Sequence, residues 1–284
     1  MKNMLPTTGQ WKTWLTCMLM LLLAPTARAV DADAIAEFKR SGRCIQCDLR
    51  YESFARCSFT NANLTGAYLF NTNFNKCLMG GAVLESSILT NAQLQYADLT
   101  RANMAKASLQ DADLHGATML KANLVFANLN GAELEAAELS EADLTTATLV
   151  GANMQNLFAV NAQLRNTDMQ RAVLSRAKLN GANMEGANLS GAQLDDATLT
   201  NANLRNAKLQ ATNLTGASLA FANLRHANFK NAILIKAYLN GANLQDANFS
   251  GADLRNVDLN GVFYEGANFC NARMPNGTLG ECIH

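Results

Sequence analysis

The sequence predicts an all-β solenoid, one continuous coil of short extended steps and turns, and three observations predict it. The first is the period. With the large apolar residue as the centre of a unit, centres run from Leu49 to Met274 in steps of five without one shift, making 46 units. The second is the pairing: every centre is Leu, Met, Phe or Tyr except Ala159, and the residue two before it is most often Ala. The third is the turn chemistry. The other positions are mostly polar or Gly, and Gly recurs two after the centre at Gly66, Gly131, Gly151, Gly191, Gly241 and Gly261.

A helix repeats near 3.6 residues and a strand at 2, so neither element alone has this period. Wound as a helix, the centres would wander over every face. Within one unit, however, the small and large residues stand two apart, as on one face of a strand. The remaining three positions turn the chain, and Gly accepts a positive φ there at no steric cost. An inserted residue would flip inward side chains outward. The unbroken phase over residues 44–276 therefore predicts one domain with no internal linker.

Composition agrees and excludes some functions. Apolar residues make up 49% of the 284 and charged residues only 16%, so amides and hydroxyls cover much of the surface. The formal net charge is zero. No basic block argues for nucleic acid and no acidic tail for a cationic partner.

Residues 1–29 read as a signal peptide. Lys2 and Lys12 supply a positive start, Trp14 to Leu23 a short apolar run, and Ala27 and Ala29 the small residues of a cleavage site. The run is roughly half of the ~20 residues a spanning helix needs. Cleavage after Ala29 and export are expected, with the periplasm or another oxidising extracytoplasmic space as destination and no stable membrane insertion afterwards. Lys2, Lys12 and Arg28 leave with the leader, so the mature chain carries 20 basic against 23 acidic side chains.

The unit itself, as in Ala62-Asn63-Leu64, Ala122-Asn123-Leu124, Ala182-Asn183-Met184 and Ala242-Asn243-Leu244, resembles the pentapeptide-repeat family over residues 44–276. The resemblance implies a right-handed quadrilateral β-helix with four units per coil. Phe229, Phe249 and Phe269 are spaced by twenty, as are Phe54 and Phe74, and Cys57 and Cys77. On that geometry they stack. The rod then has about 11 coils and a length of roughly 55 Å at ~4.8 Å per coil. The positions before the centre form outward columns, such as Asn103, Asn123, Asp143, Gln163, Asn183 and Asn203.

One unit is inverted: Leu157 stands where Ala belongs and Ala159 where Leu belongs, with Phe158 between them. Core volume is kept, so a local bulge or kink is expected there. At the start, residues 30–43 are expected to cap the first coil. Asp31 to Arg40 reads as a short helix with Asp31 or Asp33 as N-cap, Ile35 and Phe38 as apolar contacts, and Gly42 as terminator. At the finish, Pro275-Asn276-Gly277 marks a turn, and residues 277–284 are expected to fold back over the Phe269 coil.

Six Cys remain after cleavage, an even number suited to an oxidising compartment. Cys270 and Cys282 flank the last turn and form the best disulfide pair. Cys57 and Cys77 would lie one coil apart, either bridged or as buried thiols replacing Ala. Cys44 and Cys47 read as a structural bridge at the cap. Their C-x-x-C spacing leaves a thiol–disulfide redox protein as an alternative, although no helix N-terminus stands there to lower a thiol pKa.

Candidate chemistry is otherwise sparse. His115 and His226 face outward far apart, and His284 is terminal; no cofactor or metal motif is found, and no enzyme activity is expected. Carboxylates gather mildly at Glu133, Glu135, Glu138, Glu141 and Asp143. Glu52 occupies an inward position, so either the first coil is irregular or Glu52 pairs with Arg50 or Arg56. The outward apolar residues Phe126, Phe158, Phe221 and Ile235 fall on different faces without forming a patch.

The functional expectation is an exported structural or protein-binding rod with an unidentified protein partner, able to pair as a homodimer through one end. The family resemblance also supplies the alternative of a DNA mimic that protects topoisomerase. A mature charge near −3 and the export signal oppose it.

Overall fold

The computed structural model describes residues 32–282; residues 1–31, with the expected signal peptide and the Asp31 cap, and residues 283–284 lie outside the described residues. Parallel bridges join each residue before a centre to the residue twenty positions on, as in Asn103↔Asn123 and Asn183↔Asn203. Twenty residues hold four five-residue units, so each turn of the coil has four sides. The sides stack into four ladders. We number the faces by their first members: face 1 from Arg43, face 2 from Asp48, face 3 from Ser53 and face 4 from Ser58.

The five backbone N–H groups of a unit explain why five residues suffice. Four are used by the backbone. Asn63 donates back to Gly42, while Leu64 and Gly66 donate forward to Val83 and Glu85. Ala67 then closes a turn on Leu64 at 3.0 Å. The third residue of that turn has φ of 64°, the type II pattern. The fifth donor, at the first turn position, has no backbone acceptor in this scheme. The preceding Asn or Asp supplies one: Thr65 N–H donates to Asn63 Oδ1 at 3.1 Å, and Thr100 N–H to Asp98 Oδ1 at 2.9 Å. The frequent Asn or Asp before the centre therefore serves the backbone as well as the surface.

Positive φ recurs at the second turn position even for bulky residues, Arg171 at 56° and Phe221 at 57° among them. Elsewhere Gly relieves that strain and also clears space. A Cβ on Gly81 would collide with Asn61 Oδ1 and one on Gly116 with the Tyr96 ring.

The core is a column of Leu, Met and Phe centres beside Ala, nearly all fully buried from Leu64 to Leu254. Each centre contributes about 2 kcal/mol of burial. Inward hydroxyls are satisfied by backbone carbonyls: Thr72 donates to Leu49, Thr212 to Leu189 and Ser87 to Leu84. The phenylalanines stack, with Phe229 and Phe249 rings 4.6 Å apart, Phe249 and Phe269 5.3 Å, and Phe54 and Phe74 5.4 Å.

Three expectations need correction. No bulge occurs at Leu157-Phe158-Ala159: Phe158 bridges Glu138 and Lys178, and Leu157 and Ala159 are both buried. Swapping the two keeps the volume of the pair, and their shared inward direction lets the layer repack. Arg50 does not pair with Glu52. It grips Asp48 through two bonds of 2.6 and 2.8 Å, and Glu52 lies half-buried. Finally, the inward pattern fails in the last coil, where the Tyr264 centre is 51% exposed. Among the described residues no further coil lies beneath it to cover the ring.

Helix α1 spans Ala32–Ser41, with Gly42 in a positive-φ terminating turn that donates to Phe38. Phe38 is fully buried, its ring against Phe54 and Phe59 at 5.2 and 4.2 Å. At the far end the chain reverses and pairs antiparallel, Arg273 with Leu279, while Gly280 donates to Ala272. Only Gly fits at 280, since a Cβ would strike the Phe269 carbonyl.

Candidate interaction surface

The three cysteine pairs lie at the ends of the coil. Cys44 is joined to Cys47, Cys57 to Cys77 and Cys270 to Cys282, with Cα separations of 5.4, 4.5 and 4.2 Å. The 57–77 bridge stacks two successive coils from within. The 270–282 bridge ties the reversed tail to the last coil. An open cleft of about 370 Å³ beside Cys44 and Cys47 is lined by Ala34, Glu37, Arg43 and Ile45. Another of about 700 Å³ lies between the tail and the Phe269 coil. Neither gathers groups suited to chemistry.

The remaining candidates are dispersed. His115 faces Glu135 at 4.0 Å and the edge of Tyr96, whereas His226 faces Asp246 at 3.7 Å farther along the rod. The carboxylates at 133–143 are engaged separately. Glu133 accepts from Asn153, Glu138 from Ser140 N–H and Asp143 from Thr145 N–H, and Glu141 pairs with Lys121. Among the described residues, no group of three or more His, Cys, Asp or Glu is placed to hold a metal ion, and no helix is long and apolar enough to cross a membrane.

Charge perturbation is confined to ion pairs. A side-chain hydrogen bond from Arg255 holds Asp253 below the usual carboxylate range, and Arg40 does the same for Glu37 at the exposed end of α1. The bond to Asp48 raises the Arg50 guanidinium. These are structural pairs, and they gather no further reactive group around them.

The outward side chains form a patch that sequence reading missed and an amide ladder of the kind the outward columns predict. On face 2, Tyr68 and Ile88 are ladder neighbours and both exposed; half-buried Phe70 lies beside them and stacks edge-on with exposed Tyr51 at 5.5 Å. This aromatic and aliphatic patch sits near the N-terminal end. The signal was present as spacing by twenty, but it needs the coil length to be read. Phe126, Phe158 and Phe221, by contrast, are exposed on three separate columns. On face 1 an amide ladder runs outside the core: Asn183 donates to Gln163, Asn203 to Asn183 and Asn223 to Asn203, each at 3.1 Å. Asp143 interrupts the column, since a carboxylate has no proton to pass on.

A twenty-residue coil with parallel ladders, an Ala/Leu interior and Asx-satisfied turns defines a β-helical solenoid. Pentapeptide repeats are matched in eight overlapping stretches from residue 43 to residue 283, namely 43–75, 67–105, 107–145, 119–156, 160–194, 192–231, 222–261 and 247–283. The chain belongs to the pentapeptide repeat family. It is similar to HetL, a pentapeptide repeat protein involved in heterocyst differentiation regulation from the cyanobacterium Nostoc sp. strain PCC 7120. That match has 30% identity and covers 87% of this chain and 97% of that one, with a TM-score of 0.45. A trypsin-treated variant of QnrB1, a plasmid-mediated fluoroquinolone resistance protein, matches at 18% identity over 78% of this chain and 89% of its own, TM-score 0.41. A pentapeptide repeat protein from the Arabidopsis thaliana thylakoid lumen matches at 31% identity over 39% of this chain and 70% of its own, TM-score 0.17. No curated protein matches the chain.

Proposed function

We propose that this chain is an exported, disulfide-stapled rod of about 11 coils that binds a protein partner through its side faces. The backbone inventory closes within the coil, leaving outward side chains as the part free to carry specificity. The observation that carries the reading is the patch on face 2, where exposed Tyr68 and Ile88 are ladder neighbours and exposed Tyr51 meets Phe70 edge-on. Aromatic side chains on a flat, rigid support suit protein contact, because they bury large area with few torsions to fix. Helix α1 serves as the cap of the first coil, and three disulfides suit an oxidising compartment. The exposed C-terminal end, with Phe263 and Tyr264, is the surface for pairing two rods.

The test uses residues 30–284 as bait in an extracytoplasmic extract, beside a bait carrying Tyr68→Ser and Ile88→Ser. A protein held by the first and lost by the second supports the reading; identical capture by both baits rejects this patch. Size-exclusion chromatography with light scattering, on the mature chain and on Tyr264→Lys, addresses the end contact. The topoisomerase alternative calls for a strongly acidic surface, and residues 30–284 carry 20 basic against 23 acidic side chains.

A further inference from the structure

Lys208, Lys230, Arg205 and Arg225 stand together in two successive coils, on face 2 and on the corners that flank it. The ladder fixes their placement. Lys208 bridges to Asn228, Asn206 donates to the Arg225 carbonyl, and Ala211 donates to the Lys230 carbonyl. Arg205 is thus stacked over Arg225, at ~4.8 Å between coils. All four side chains are exposed.

Nearby acids are engaged elsewhere. Glu185, one coil before Arg205, faces Arg165 at 3.9 Å, and Asp246, one coil after His226, faces that imidazole at 3.7 Å. Among the described residues no carboxylate lies within 4.0 Å of Arg205, Lys208, Arg225 or Lys230. The fold does not ask for this. The first turn position needs only a backbone N–H, and stacked like charges repel. The cluster also runs against the net charge of the mature chain, which has 20 basic and 23 acidic side chains once the bases of residues 1–29 are removed.

We propose that this cluster is a docking site for an acidic segment of a protein partner. The inference rests on the protein-binding reading above and adds a second contact on the same face. Two guanidiniums in register bind carboxylates bidentately. The flanking Asn206, Gln210 and Asn228 offer amide N–H groups to a peptide backbone. An anionic membrane is the poorer fit, because no large apolar side chain stands among the cations to anchor in lipid. The cluster spans only two coils, which is short for a nucleic-acid duplex. The face 2 ladder runs from Tyr68 through Ile88 to Lys208 and Asn228. An extended partner with an apolar anchor and an acidic end would lie along it.

The experiment titrates the mature chain with fluorescein-labelled octaglutamate and follows anisotropy, with octaglutamine, anionic phosphatidylglycerol vesicles and duplex DNA as the other arms. The expected result is saturable octaglutamate binding that weakens with salt and falls at least tenfold in Arg205→Gln/Arg225→Gln. Arg171→Gln/Arg176→Gln, which removes two cations outside the cluster, leaves it unchanged. Circular dichroism checks that both variants keep the coil. Absence of octaglutamate binding, equal loss in both variants, or tighter binding to vesicles or DNA overturns the proposal. The two readings separate in the capture assay. A partner lost with Tyr68→Ser/Ile88→Ser but retained by Arg205→Gln/Arg225→Gln leaves protein binding standing and removes the acidic contact.

Discussion

At the residue scale, the five-residue unit is a solution to hydrogen-bond accounting. One N–H per unit is orphaned by the coil, and Asn or Asp before the centre takes it. Asn123 has two such duties, accepting from Val125 N–H at 3.1 Å and donating to Asn103 at 3.0 Å. Asn123→Ala should cost about 1 kcal/mol, because both groups can turn to water instead. Urea denaturation of the mature chain measures it. Asp253 makes a pH prediction. Its folded pKa is depressed by Arg255, so its contribution is fully present above the ordinary carboxylate value of about 4 and is lost as pH falls through the lower folded value. Melting curves of the mature chain and Asp253→Asn should differ by a constant amount between about pH 6 and 8. They should converge on acidification below that lower folded value.

At the scale of the element, the coil tolerates exchange within a layer but not a loss of volume. Leu157 and Ala159 are inverted yet equally buried. Restoring the common order with Leu157→Ala/Ala159→Leu should change stability by less than about 1.5 kcal/mol, because volume is conserved. Leu157→Ala alone should cost about 2–5 kcal/mol through the cavity it leaves. Parallel denaturation curves decide between these. The 57–77 bridge is a separate case. Ala is the common occupant of both positions, so Cys57→Ala/Cys77→Ala removes only the cross-link. For a loop of that length the chain-entropy estimate is a loss of about 3 kcal/mol. Urea denaturation of the parent and of this variant, both without reductant, measures it.

Over the whole molecule, each coil contacts only its neighbours, so stability accumulates coil by coil. Deleting residues 124–143 removes one complete coil, leaves every ladder in register, and should give a shorter rod with an unchanged circular dichroism shape. Deleting Gly131 alone shifts every later centre by one position, out of the core, and should abolish cooperative unfolding. The comparison needs only spectra and melts. A shorter rod that fails to fold would show that the coils are not interchangeable.

Much of this protein was legible in the sequence. The period, the inward pair and the position of the first helix follow from which residues are apolar and how far apart they stand, while the stacking of Phe229 over Phe249 follows from the twenty-residue coil that the family resemblance implies. The sequence also named the three cysteine pairs as candidates, leaving 57–77 open between bridge and thiols. It did not reveal the Asx duty of Asn63 and its equivalents, which were read as outward columns. Nor did it reveal that Tyr264 is exposed, since a centre in an end coil is buried only where a further layer covers it, as at Leu49 and Phe54. The patches on face 2 were invisible for a related reason. Tyr68 and Ile88, or Arg205 and Arg225, are distant along the chain and adjacent only once twenty residues close a coil. Local chemistry therefore determined the solenoid, because burial and turn formation act within five residues. The tertiary structure alone decided which outward side chains meet, because contact between coils depends on the closure of the whole turn.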